Sequence, residues 1–166
     1  MSMIQCGDEN MNTFGELPLL NKKAPDFFAC NMNLEDVTLS EAYQNEPVLI
    51  NVFPSIDTSV CFSSITNFQE KLVGSEVKII CISMDTPFAL QRSSKSLSLD
   101  KVTLLSDMRN RSFGGAYGVV IADGPLAGFL ARSVFLLDKS HNIIHKELVA
   151  DISKAPNYDG ILELIG

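Results

Sequence analysis

The sequence predicts an α/β domain built on a mixed β-sheet, and three observations carry that reading. Apolar, β-branched runs alternate with helical patterns from residue 48 to residue 96, two strand-like runs later follow one another directly, and a helical pattern closes the chain. The alternation implies βαβ units with parallel strands. The successive runs imply an antiparallel hairpin.

Element by element, Met3–Cys6 and Met11–Phe14 flank Gly7-Asp8-Glu9-Asn10 and predict an N-terminal hairpin within about residues 1–17. Phe27–Cys30 and Val37–Leu39 predict a second. Val48–Phe53 is a strand, Ser59–Val73 a helix closed by Gly74, Val77–Ser83 a strand and Pro87–Ser96 a helix. Val102–Leu105 is a short strand, Arg109–Tyr117 a weak helix interrupted by Gly114-Gly115, and Ala122-Asp123-Gly124-Pro125 a loop. Ser133–Leu137 and Asn142–Val149 are strands joined by the polar turn Asp138-Lys139-Ser140-His141, and Asn157–Ile165 is the closing helix. A parallel βαβ half joined to an antiparallel hairpin and a terminal helix is the plan of a thioredoxin-like fold. No repeat, low-complexity tract or linker divides the chain, so one domain is expected over residues 1–166.

Composition narrows the function. With 46% apolar and 20% charged residues in 166, the chain has material for a sizeable core. A net charge of −7 disfavours a nucleic-acid or anionic-membrane partner. No run approaches the ~18–20 apolar residues of a membrane span, and the first residues lack the basic start and apolar centre of a secretory signal. The cytoplasm is the expected compartment, with the periplasm as the alternative should a leader have been cleaved. The four cysteines, Cys6, Cys30, Cys61 and Cys81, form no CxxC and stand away from His141 and His145, which disfavours zinc.

Cys61 is the candidate nucleophile. It falls in the first turn of the predicted helix after Pro54-Ser55-Ile56-Asp57-Thr58, where free backbone N–H groups and the helix dipole favour a thiolate. It also heads the stripe Cys61, Ile65, Phe68, Leu72, so burial opposes ionisation and the plain alternative is a core cysteine. Thr58 can cap the helix and hold its hydroxyl near the sulfur. A cation would add more, and the candidates are Arg132, Arg109, Arg111 and Arg92. Arg132 stands out because it opens an apolar strand. Asp57 is either paired with an arginine, Arg109 or Arg111 among them, or serves as the helix N-cap.

These residues carry a resemblance. Pro54-x-x-x-Thr58-x-x-Cys61 resembles the peroxiredoxin active-site motif, and Asn51 through Cys61 is similar to the bacterial thiol peroxidase subfamily. Cys81-Ile82-Ser83-Met84-Asp85, Pro87-Phe88-Ala89, Arg109-Asn110, Ala116-Tyr117-Gly118, Ile121 to Leu126 and Ala131-Arg132 extend it in order from about residue 24 onward. The resemblance implies a thiol peroxidase that reduces hydrogen peroxide and organic hydroperoxides without metal or organic cofactor. By it, Cys61 attacks the terminal oxygen, Thr58 orients the peroxide, Arg132 stabilises thiolate and developing charge, and Pro54 shields the sulfur. It also implies a homodimer and a thioredoxin-type protein reductant.

One departure stands out. Where the subfamily carries a resolving cysteine, this chain has Ser94, whose hydroxyl cannot condense with a sulfenic acid. Either Ser94 is an introduced substitution, or an external thiol resolves Cys61, or Cys30 or Cys6 does. Cys81 reads as a packing residue. Phe53, Ile56, Val60 and Phe62 point to alkyl or lipid hydroperoxides. The rival class is a non-catalytic thioredoxin-fold sensor or binding module with Cys61 structural. A cysteine phosphatase fails because Phe62-Ser63-Ser64-Ile65-Thr66 offers no phosphate-binding arginine.

Overall fold

The structure, a computed structural model, describes residues 1–97, 99 and 101–166. At its centre β5 (Val48–Val52), β6 (Lys78–Ser83) and β7 (Val102–Ser106) run parallel, because α2 (Ser59–Lys71) and α3 (Pro87–Ser94) carry the chain back between them. On one side β9 (Ser133–Leu137) pairs antiparallel with β5, and β10 (Ile143–Leu148) with β9. On the other, β3 (Phe28–Cys30) and β4 (Asp36–Thr38) continue the sheet in the order β10-β9-β5-β6-β7-β3-β4. This is the thioredoxin-like arrangement the sequence predicts.

All five residues of β5 are buried, as a central strand covered on both faces requires. Alternation then assigns each residue to a side. Val48, Ile50 and Val52 face a core with Phe27, Phe113, Tyr117 and Phe135, whose rings meet edge-on or stacked. Leu49 and Phe53 face a second core with Cys61, Ile65 and Phe68 of α2 and Leu72 at its C-cap, Leu90 of α3 and Ile161 of α5 (Tyr158–Ile165). Each fully buried aliphatic or aromatic side chain of that stripe contributes about 1.5–3 kcal/mol.

Several elements differ from expectation. Glu9 and Asn10 belong to β2 (Glu9–Phe14), so the turn after β1 (Met3–Cys6) is only Gly7-Asp8. Leu39 starts a short helix, α1 (Leu39–Ala42), instead of ending β4. The helix expected from Arg109 begins later, as α4 (Ser112–Tyr117), because the Asp107 carboxylate accepts the Phe113 and Gly114 N–H groups at 2.9 and 2.8 Å. Gly114 does not interrupt it. A Cβ there would lie 2.7 Å from Val120 and 2.8 Å from Leu130, so glycine is what lets α4 pack down. The two-residue β8 (Val120–Ile121) adds a third strand to the N-terminal hairpin by pairing with β2, a contact too short and too distant to read from local pattern.

Candidate active site

β5 delivers the site. After Val52 the Phe53 N–H still reaches Ile82 O at 3.3 Å, and the buried Pro54, having no N–H, ends the pairing. Thr58 is the N-cap of α2: its Oγ1 accepts the Cys61 N–H at 3.4 Å and donates to Ser55 O at 3.2 Å. Such a cap is worth about 1 kcal/mol. Asp57 is therefore not the cap. Cys61 heads the buried stripe of α2 and is itself fully buried, as a free thiol.

The sheet supplies the cation. Val52 pairs with Ser133, which sets Arg132 beside the end of β5 although it lies far along the chain. Its side chain is buried rather than snorkelling. Nη2 donates to Cys61 Sγ at 3.3 Å, Nε donates to Ile152 O at 2.9 Å, and Nη1 has no partner among the described residues. The guanidinium is thus aimed by one neutral carbonyl and faces the sulfur with the rest of its charge. Tyr158, edge-on to Phe68 with centroids 4.9 Å apart, stands near enough to feel that charge. Burial pushes its phenol up, against an Asn67 hydrogen bond and the Arg132 field.

The other three arginines are elsewhere. Arg92 of α3 pairs with Asp57 at 2.5 Å, both side chains more than half exposed. Asp57 therefore does not pair with Arg109 or Arg111. Arg109 donates to Asp36 Oδ1 at 3.2 Å and to Leu34 O at 3.3 Å, and Arg111 occupies a left-handed conformation ahead of α4.

The remaining thiols divide clearly. Cys81, in mid-β6, is fully buried and burial pushes its thiol up to about 12 against a weak bond from the Asn51 amide at 3.7 Å. Cys30, on β3, pairs with Ser106 of β7 and lies three strands from β5, roughly 14 Å at ordinary strand spacing. A disulfide needs Cα atoms within ~7 Å, so bridging Cys30 to the β5 end requires backbone movement. Cys6 is half-buried in β1, whose neighbour Gln5 bonds Ala150 O and Ile152 N at 2.8 Å each. Ser94 is half-buried on α3, its hydroxyl donating to Gln91 O at 2.7 Å.

An open cleft of about 530 Å³, lined by Ile56, Thr58, Phe62 and Arg92 among others, lies over the start of α2. A larger depression of about 710 Å³ lies between the end of α2 and α5, but its lining, Lys71, Gly74, Lys139 and Leu164 among others, includes no cysteine. Local sequence gave no role to Ser55 or Asp85, which are bonded to each other at 3.0 Å beside this cleft. The only advance signal was a Ser-x-Asp triplet at the end of a predicted strand.

Fold and site together define a class: a thioredoxin-like domain with a buried cysteine at a helix start, facing a guanidinium. Comparison with known proteins narrows it. Residues 19–162 match the Redoxin family, and the chain is 39% identical over all 166 residues, and 99% of the relative, to "Thiol peroxidase" of Mycobacterium tuberculosis strain H37Rv. "Thiol peroxidase" of Mycobacterium bovis is equally similar. Among solved structures, a peroxiredoxin-like protein from Aquifex aeolicus superposes with a TM-score of 0.91 at 30% identity, covering 99% of this chain and 96% of that one. A thiol peroxidase from Chromobacterium violaceum matches with a TM-score of 0.91 at 27% identity, covering 98% and 94%. The chain belongs to the Redoxin family and, within it, to the thiol peroxidases.

Proposed function

We propose that the chain acts as a thiol-dependent peroxidase in which Cys61 is the peroxidatic residue. The observation that carries this is the Arg132 guanidinium, which donates to Cys61 Sγ at 3.3 Å through Nη2 while its buried Nη1 has no partner among the described residues. A donor already bonded to the nucleophile, with a second beside it, suits a peroxide whose oxygens bridge the two. The Cys61 thiolate attacks the terminal oxygen, the O–O bond breaks, and the departing hydroxide or alkoxide takes a proton to leave as water or alcohol. Cys61 is left as a sulfenic acid. Thr58 orients the peroxide through its hydroxyl, and Pro54 keeps bulk water from the sulfur. The non-catalytic alternative leaves this buried cation against sulfur without a purpose.

With Ser94 on α3, Cys30 three strands from β5 and Cys6 packed beside Ile4 and Ile152 in a cluster separate from that of Cys61, the sulfenic acid is resolved by an external thiol. That thiol displaces water to form a mixed disulfide, and a second thiol of a thioredoxin-type reductant releases Cys61. Ile56 and Phe62 at the cleft favour organic hydroperoxides. The cytoplasm suits such a reductant, and no helix is long and apolar enough to cross a membrane among the described residues. The exposed Phe88, Met108 and Leu34 around an apolar groove near the start of α3 fit a homodimer contact, which sedimentation at graded concentrations tests.

Consumption of hydroperoxide coupled to thioredoxin, thioredoxin reductase and NADPH tests the whole reading. Turnover that Cys61→Ser abolishes is expected. Turnover surviving that change overturns it.

A further inference from the structure

The carboxylate of Asp85, just past the end of β6, is where three hydrogen bonds meet. Ser55 Oγ donates to Oδ1 at 3.0 Å, and the Ile56 N–H and Ser83 Oγ donate to Oδ2 at 2.7 and 2.6 Å. Ser83 is the last residue of β6, buried and paired with Ser106, so it fixes Asp85 to the rigid end of the sheet. Ser55 passes the constraint on. Its hydroxyl accepts the Asp57 N–H at 3.2 Å, and its carbonyl accepts both the N–H and the hydroxyl of Thr58 at 3.3 and 3.2 Å. Thr58 in turn holds the Cys61 N–H. A continuous run of bonds thus leads from the sheet to the nucleophile.

We propose that Asp85 is a positioning residue for the reaction of Cys61 with peroxide, setting the Thr58 hydroxyl through Ser55. The segment from Pro54 to Thr58 lies between strand and helix and has few ladder bonds of its own, so an anchor from outside is needed to define it. A carboxylate suits the post because it is acceptor-only and takes several donors at once. Asparagine retains one acceptor oxygen, and alanine retains none. The inference rests on the peroxidase reading of Cys61.

The test compares single-turnover oxidation of reduced protein by hydrogen peroxide with alkylation by iodoacetamide, which needs the sulfur but not an oriented peroxide. Asp85→Ala is expected to slow oxidation about tenfold or more, as small misplacements of reacting groups do. Alkylation should hold or rise, since a loosened loop uncovers the sulfur. Asp85→Asn should fall between, and Ser55→Ala should add nothing to Asp85→Ala if the two act in one run. Equal losses in both reactions, or native oxidation in a cooperatively folded Asp85→Ala protein, overturn the proposal. Should Asp85→Ala fail to fold, Asp85→Asn and Ser55→Ala carry the same comparison. The native protein separates the two levels. Failure of native Cys61 to react overturns the peroxidase reading, whereas native reactivity with unaffected variants overturns only the role of Asp85.

Discussion

Cys61 and Cys81 are both fully buried, in the same core on the same side of the sheet, and they differ in the element that carries them and in their polar neighbours. Asn51 even links them, its amide touching Cys81 Sγ and bonding Ser64 Oγ at 2.9 Å, while Ser64 Oγ donates to Cys61 O at 2.6 Å. Cys81 meets that weak amide contact in the middle of a strand, and burial keeps it a thiol. Cys61 sits at a helix start with a capped N–H and a guanidinium against its sulfur. Burial alone therefore does not decide which cysteine works; the charge placed in the buried space does.

The largest expected effect breaks that contrast. Arg132→Ala leaves Cys61 as isolated as Cys81, and the rate of Cys61 oxidation by peroxide, followed by stopped flow, should fall about a hundredfold or more. Arg132→Lys should recover part of the rate, since it restores charge but not the two-pronged geometry. Next is Thr58→Val, which removes both cap and hydroxyl. It should cost about 1 kcal/mol of stability in denaturant titration and about tenfold in oxidation rate, with Thr58→Ser close to native.

Cys81 sharpens the comparison from the other side. Its thiol is raised from 9.0 to about 12 in the folded protein, so between those values the unfolded chain has released a proton that the native state keeps. Folding stability contributed by this group is full below pH 9 and declines as pH rises toward 12. Cys81→Ala should flatten that alkaline decline in denaturant titrations at graded pH, while leaving Cys61 oxidation near native. The smallest effect belongs to the Asp57–Arg92 pair. It is exposed on both sides, and Asp57→Ala should change stability by less than about 1 kcal/mol and leave oxidation close to native by the same stopped-flow assay.

Much of this was legible in local sequence because local rules govern it. The strand ending at Pro54, the Thr58 cap and the stripe from Cys61 to Leu72 follow from proline chemistry and helical period. Arg132 was legible for a different reason, as a charge opening an otherwise apolar strand. What escaped depends on register and on distant pairing. Asp57 chose Arg92 over Arg109 because α3 packs beside the cleft, while Arg109 was taken up by Asp36 and Leu34 across the sheet edge. Beyond the Ser83-x-Asp85 triplet, Asp85 carried no signal of its role, because its other partners Ser55 and Ile56 lie about thirty residues away and meet it only when β5 and β6 pair. β8 required a partner strand more than a hundred residues distant.

The measurement that bears most directly on the contrast is peptide-resolved mass spectrometry of the reduced protein after one equivalent of hydroperoxide, with sulfenic acid trapped by dimedone. One added oxygen on Cys61, with Cys81 unmodified in the same molecules, is the predicted result. Oxidation distributed between Cys61 and Cys81, or confined to Cys6 or Cys30, would contradict it.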